Sequence, residues 1–183
     1  MQYKLIASAF AATISFLNIQ ARAAIYDAPD SITVQNQSGA RLMVYTIEDL
    51  KKQFHQQTYK TRTPWTKEDE RIVFRGPLLR DVLSKSGIYN GINIKIIAYD
   101  DFTSDILSEE IEQYDPILAV EQSCTDSDRT KGNCDSNQDF RSITMLEKGP
   151  IFVVWPFDRL PHGYIPARNS IWVFFPVVLR QQQ

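Results

Sequence analysis

Hydrophobic and polar positions alternate along this chain in short runs, which predicts a fold dominated by β-strands. Ile32 and Val34 alternate with polar residues, and residues 92–99 alternate and then become fully apolar. A fully apolar run is typical of a strand buried on both faces. Further strands are predicted at residues 41–45, 117–120, 141–146, 151–155 and 170–179. Residues 156–169 lack periodicity and are expected to form a loop.

The most regular stretch is residues 71–87, a short strand that leads into a helix. The pattern places Gly76 at the N-cap and Pro77 at the first helical position, where a missing N–H costs nothing. Gly87 follows the helix as a left-handed C-cap. One apolar stripe must pack on a sheet, and it consists of Leu78, Leu79, Val82 and Leu83.

Other helices are predicted to be short. Thr46 caps one that ends around residues 54–57, and residues 108–112 resemble a capped helical turn. Two or three short helices among many strands indicate an α+β fold.

Composition limits the classes of function. The chain has 183 residues, 43% of them hydrophobic, which suits one globular domain with a sizeable core. The formal net charge is −2, so no basic surface indicates binding to nucleic acid or anionic lipid.

The N-terminus resembles an export signal. Lys4 precedes the apolar run 5–19, and Ala21-Arg22-Ala23 follows as a small-residue cleavage site. We therefore predict a signal peptide at residues 1–23 and a mature domain at 24–183 in the periplasm or outside the cell. A transmembrane anchor is the alternative, but the run is short for a membrane span.

Export changes the interpretation of the two cysteines. Cys124 and Cys134 are separated by a wholly polar segment. In an oxidising compartment such a pair is expected to form a structural disulfide. The spacing is too wide for a C-x-x-C redox site and unlike a zinc knuckle.

The order of several segments resembles the molybdopterin-binding domain of the sulfite oxidase type, in particular a small exported bacterial branch of that superfamily. The segments are Thr63-Pro64-Trp65, 71–87, Tyr99-Asp100-Asp101-Phe102, 115–120 and 148–156. The resemblance extends from about Ile32 to Phe175. It implies a mixed β-sheet or barrel-like fold.

The resemblance also implies a molybdenum-ligating cysteine before the central strand. Residues 58–66 contain no cysteine, and threonine cannot replace a soft thiolate ligand. We therefore expect no bound cofactor. Molybdopterin would require atypical ligands, with Thr61 or Thr63 facing the metal.

The basic residues that hold the pterin phosphate in this family are also missing. By alignment, Glu147 lies near the family's His, Phe152 at its Arg, and Ile171-Trp172 at its Lys-Trp pair. A buried phosphate needs charged donors, which these residues lack.

The remaining candidates for a ligand cleft are Trp65, Arg75, Asp100, Asp101, Phe102, Trp155, Asp158 and His162. Trp65 and Trp155 would stack on a flat ligand or a partner's side chain, or else belong to the core. Asp100 and Asp101 would face a ligand or cap a turn. Arg75 would bind an anion or pair with a local carboxylate.

Two hypotheses follow. In the first, the chain is a non-catalytic periplasmic binding module, and its partner is a small ligand or a protein such as a membrane sensor. In the second, it is a molybdopterin-dependent oxidoreductase, or an electron-transfer accessory to one, with atypical ligands. No nucleophile elbow or phosphate-binding glycine loop is present, and neither His55 nor His162 has metal-ligand spacing.

Overall fold

A computed structural model of the chain describes residues 28–89, 91–161 and 168–183. The predicted signal peptide and His162 lie outside these residues. The strands are β1 Ser31–Gln35, β2 Arg41–Thr46, β3 Gln56–Thr61, β4 Ile72–Pro77, β5 Ile94–Ala98, β6 Thr103–Ile106, β7 Ile117–Ala119, β8 Glu121–Ser123, β9 Phe140–Ser142, β10 Phe152–Val154 and β11 Pro176–Gln181. The helices are α1 Ile47–Lys52, α2 Leu79–Lys85, α3 Ser108–Tyr114 and α4 Asp126–Thr130.

The strands form three open sheets. The largest has the order β2-β1-β11-β5-β6, and β1 pairs with β11 in parallel while its other neighbours are antiparallel. A second sheet has the order β3-β4-β8-β9, and β7 pairs with β10. Mixed sheets with a few short helices confirm the predicted α+β class. The expectation of barrel-like closure was wrong, because β2 and β6 remain as edges.

One large hydrophobic cluster lies between these sheets and the helices. It includes Ile32 and Val34 of β1, Leu79 of α2, and Phe74 and Phe152 of the smaller sheets. The predicted amphipathic stripe of the central helix therefore packs as expected. Among the described residues, no helix has the length and apolar content needed to cross a bilayer.

The start of α2 differs from the prediction. Gly76 and Pro77 are the last residues of β4, and the N-cap is Leu78. The strand continues through Gly76 because it pairs with Gln57 of β3 and lies against the backbone of Leu118. The C-terminal prediction was correct, since Gly87 has a positive φ of 85°.

Capping side chains explain two of the helices. In α1, Thr46 Oγ1 accepts the Asp49 N–H at 3.1 Å, and the Asp49 carboxylate accepts the Thr46 N–H at 3.0 Å. This reciprocal pair confirms the predicted cap. Thr125 and Asp128 form the same reciprocal pair at the start of α4, in a segment that the sequence predicts to be a polar loop. The missed helix has no apolar stripe, and its capping box was the available signal.

Two predicted strands are shorter than expected. Residues 141–146 were assigned to one strand, but β9 ends at Ser142 and a turn follows. Residues 170–179 were assigned to another, but a short 3-10 turn spans Asn169–Ile171 and β11 begins at Pro176. In both places the backbone forms turns, with hydrogen bonds from the Glu147 N–H to Thr144 O and from the Trp172 N–H to Asn169 O.

Cys124 and Cys134 form the predicted disulfide, which closes the loop that contains α4. We expect the double variant Cys124→Ser, Cys134→Ser to lose about 2–3 kcal/mol of unfolding free energy, because its unfolded chain is less constrained. Urea denaturation would measure this loss. Reduction of the wild-type protein should give a similar value, and equal stability of both forms would contradict the prediction.

Candidate functional site

A cleft of about 390 Å³ lies where the turn after β3, the β5–β6 hairpin and the segment before β11 meet. It is lined by Trp65, Phe102, Trp172 and Phe174, together with Asp100, Asn169 and Ser170. We call it the aromatic cleft. Clefts of this size with mostly apolar walls are typical of small-ligand sites.

The turn at residues 63–66 positions Trp65 on the open side of the cleft. Thr66 Oγ1 accepts the Thr63 N–H at 2.8 Å and donates to the Thr63 carbonyl at 2.9 Å. Thr63 Oγ1 in turn accepts the Trp65 N–H at 3.3 Å. The indole packs on Phe174 at a centroid distance of 5.0 Å and is still 56% exposed. Trp65 is therefore a fixed wall with one face accessible.

An unusual backbone conformation places Phe174. The next residue, Phe175, has a φ of 52°, in the left-handed region that bulky side chains rarely adopt. Two hydrogen bonds hold it, from the Phe175 N–H to Lys148 O and from the Tyr99 N–H to Phe175 O. Its ring lies against Gly149, where an added Cβ would be 2.9 Å from Phe175 Cγ. The resulting reversal turns Phe174 towards Phe152, with ring centroids 4.9 Å apart.

The floor of the cleft is Trp172, which also contacts the rings of Phe152 and Phe157. Its indole nitrogen is buried and has no hydrogen-bond partner among the described residues, and the same holds for Asn169 Oδ1. Buried polar atoms are normally paired. The apolar cleft therefore borders one donor and one acceptor that the described chain leaves unsatisfied.

The rim of the cleft is acidic. Asp100 Oδ1 accepts the Phe102 N–H at 3.2 Å, and Asp101 has a left-handed φ of 64°. Both carboxylates are exposed at the tip of the β5–β6 hairpin. They therefore shape the turn, as one of the sequence readings expected, and Asp100 also borders the cleft.

The aromatic cleft thus brings together Trp65, Asp100 and Phe102 from the sequence candidates, with Asp101 adjacent. Sequence reasoning missed Trp172 and Phe174 because it treated residues 170–179 as one strand of the core. An available signal was the Asn169-Ser170 pair, which is typical of a turn before a strand.

The other candidates lie elsewhere. Trp155 is fully buried, and its indole N–H donates to Ile171 O at 2.9 Å. Arg75 Nε donates to Glu121 Oε2 at 2.7 Å, and its guanidinium lies 4.0 Å from the Phe140 ring centroid. Trp155 therefore belongs to the core, and Arg75 pairs with a local carboxylate.

Asp158 borders a separate cleft of about 230 Å³, which also contains Lys60 and Arg159. Its carboxylate lies 3.5 Å from Arg71 Nη2. The described residues contain no group of three His, Cys, Asp or Glu side chains that could hold a metal ion.

A partly buried ion cluster supports the turn at residues 144–149. Arg141 Nη2 contacts Asp128 Oδ1 at 2.8 Å and Glu147 Oε1 at 2.5 Å. The Arg141 guanidinium lowers the pKa of Glu147 to about 2. Burial alone would raise the pKa of Asp128, but the Thr125 N–H and Arg141 hold it well below its usual range. Glu147, which the alignment placed near a family histidine, is therefore an anchor of the fold.

Comparisons with known proteins give distant structural similarity and no sequence match. No protein-family model matches the chain, and no curated protein sequence matches it. Among solved structures, the sulfane dehydrogenase SoxCD from Paracoccus pantotrophus is similar at 16% identity over 83% of this chain, with a TM-score of 0.49. The chain spans 38% of the length of that protein. This identity and TM-score do not establish a family for the chain. Membership of the sulfite oxidase type therefore stays a prediction from the sequence.

Proposed function

We propose that this chain is a non-catalytic binding module that takes an apolar group of aromatic size into the aromatic cleft. The observation that carries the proposal is the cleft itself, in which Trp65, Trp172 and Phe174 come together. Aromatic walls offer large contact areas, and half-exposed indole rings are common anchors of ligands and partner side chains. Neither a paired acid and base nor an activated nucleophile is required of such a site.

The proposal places the mature module in the periplasm, where it would serve a small ligand or a protein partner such as a membrane sensor. The disulfide supports an oxidising compartment. The sensor partner is suggested by the sequence resemblance alone.

We also propose that the protein binds no molybdopterin. The side chains available as metal ligands support this. Both cysteines of the chain are in the disulfide, so no thiolate is available. Thr61 Oγ1 accepts the Phe157 N–H at 3.0 Å, and Thr63 Oγ1 is used in its own turn. A thiolate-held metal centre does not fit these residues, and no observation favours the oxidoreductase alternative.

Elemental analysis for molybdenum and tungsten, on protein purified from its own host, tests this part of the proposal. We expect metal far below one atom per chain. Stoichiometric metal accompanied by pterin fluorescence would overturn the binding-module proposal and reinstate the oxidoreductase.

The binding site is tested with the neutral dye Nile red, whose fluorescence increases in apolar surroundings. We expect Trp65→Ala to weaken dye binding about tenfold, because it removes one stacking wall of the cleft. Titration at low protein concentration measures the affinity, and circular dichroism verifies folding.

The matched control is Tyr89→Ala, which removes an exposed aromatic ring that does not line the cleft. We expect its dye affinity to equal that of the wild type. Equal affinity in the Trp65→Ala protein would remove the aromatic cleft as the binding site.

A further inference from the structure

A turn at residues 144–149 presents an unusually exposed leucine. Leu146 is 99% exposed, and its neighbour Met145 is also exposed. Leaving a whole leucine side chain in water forgoes the favourable free energy of burying it. Single exposed leucines are common, so the interest of this one depends on how the turn is held and what lies beside it.

The 144–149 turn is held from below by the carboxylate of Glu147. Its Oε2 accepts the Thr144 N–H at 3.0 Å and the Thr144 hydroxyl at 2.9 Å. Arg141 and Gln122 donate to the same carboxylate. The Glu147 and Gly149 N–H groups both donate to Thr144 O at 3.1 Å. Leu146 is thus presented on a preorganised turn, which lowers the entropic cost of inserting it into a pocket.

Phe175 joins the turn to the wall of the aromatic cleft. Lys148 O accepts the Phe175 N–H, and Gly149 packs against the Phe175 ring. Phe175 contacts Phe174, which lines the cleft, at a centroid distance of 6.4 Å. The segment that carries the apolar projection is therefore attached to a wall of the apolar cleft.

Among the described residues, the charges that form no ion pair are opposite on the two features. The cleft carries Asp100 at its rim with Asp101 adjacent, and the turn carries Lys148 next to its apolar tip, while Glu147 of the turn is paired with Arg141. Within the described part of the chain, Lys148 forms no ion pair. The turn thus has the shape, polarity and charge that the cleft would accept from another molecule.

We propose that two copies of this chain associate by inserting Leu146 of each into the aromatic cleft of the other, with Lys148 facing Asp100 across the contact. The inference rests on the proposed function, because it names the occupant of the same cleft. Since each copy carries both a projection and a cleft, a two-fold axis would satisfy both contacts at once and close the assembly. The contact is small, so the association is weak, with a dissociation constant on the order of 10–100 µM.

The test is sedimentation velocity of the purified protein over a concentration range that brackets about 10–500 µM. We expect a monomer–dimer equilibrium in the wild type and at least about tenfold weaker association in Leu146→Asp, which places a charge in an apolar cleft. A wild type that remains monomeric throughout, or a Leu146→Asp protein that associates normally, would overturn the proposal.

The control is Leu42→Asp, which changes an exposed leucine on the edge strand β2. It should leave self-association unchanged. If it alone weakens the dimer, the copies pair through their sheet edges and the proposed contact is wrong.

A double-mutant cycle tests the charge pair. Lys148→Met and Asp100→Asn should each weaken association a few-fold, and the double variant should be no weaker than either single variant. The amide of Asn keeps the hydrogen-bond acceptor for the Phe102 N–H. Strictly additive effects would show that these two charges do not meet.

Titration with Nile red distinguishes a failure of the dimer proposal from a failure of the proposed binding function. In dilute Leu146→Asp protein the cleft is intact and should bind the dye normally, and excess dye should dissociate the wild-type dimer. Dye binding by a wild type that does not self-associate would contradict the dimer proposal and leave the proposed binding function intact. A wild type that neither binds the dye nor self-associates would contradict both proposals.

Discussion

Replacing Gly76 with alanine is expected to destabilise the protein by about 3 kcal/mol or more. An added Cβ would collide with the Leu118 carbonyl oxygen and would lie 2.8 Å from Ala119 Cα. Both obstacles are backbone atoms of β7, which β10 fixes from its other side. A side chain could rotate away, but here two strands must separate. Urea denaturation of the variant and the wild type measures the loss.

Gly87→Ala is the matched control. Gly87 also lacks a side chain, but nothing lies within 4 Å of the position its Cβ would occupy. Its positive φ of 85° should cost only about 1 kcal/mol. If Gly76→Ala lowers the free energy of unfolding no more than Gly87→Ala does, β4 and β7 do not pack closely enough to exclude a Cβ.

The second large effect is expected from Arg141→Met, which should cost about 3–5 kcal/mol at neutral pH. The substitution keeps the aliphatic bulk but leaves Asp128 and Glu147 without their shared cation. Asp128 has a side chain only 9% exposed, so water cannot replace the guanidinium. The control Lys52→Met removes an exposed partner of Glu48, where water screens the ion pair, and should have a far smaller effect on stability.

The dependence on pH gives a second readout of this cluster. The pKa values of Glu147 and Asp128 lie below their ordinary values of 4.5 and 3.8, so the unfolded chain binds protons first. The two ionised carboxylates contribute their full stabilisation at pH values above those ordinary pKa values. This stabilisation is lost as the pH falls through their lower pKa values in the folded protein. Wild-type stability should therefore decrease between about pH 5 and pH 2.

In Arg141→Met the dependence on pH should be weaker. Burial still raises the pKa of Asp128 and the Thr125 N–H still lowers it, but loss of the cation removes one cause that lowers it. The stability of the variant should therefore decrease less than that of the wild type as the pH is lowered from about 5 to about 2. Parallel pH profiles for both proteins would show that Arg141 does not control these carboxyls.

Features that depend on near neighbours in sequence were predicted well. The Thr46 cap of α1 uses a residue three positions away, and the alternation of β1 places Ile32 and Val34 in the hydrophobic cluster. Gly76 was placed wrongly because its lack of a side chain serves a contact with Leu118, which is remote in sequence. The local sequence pattern alone predicts a helix cap at such a glycine.

The candidate site shows the same limit. Trp65 and Phe102 lie in the segments that carry the family resemblance, but nothing local indicates that they share a cleft. That proximity depends on β11 lying beside β5 and on the left-handed Phe175, which turns Phe174 towards Trp65. Arg75 and Trp155 carried equally strong sequence signals, and their surroundings bury or pair them.

The position of β11 has a consequence for how the chain reaches its folded state. This C-terminal strand lies inside the largest sheet, between β1 and β5, with the parallel partner β1 from the beginning of the described chain. During synthesis, residues emerge in order, and the place between β1 and β5 stays empty until β11 arrives. Such long-range pairing is slow to form. The largest sheet therefore closes only after β11 has been synthesised, and β1 and β5 lack their shared neighbour until then.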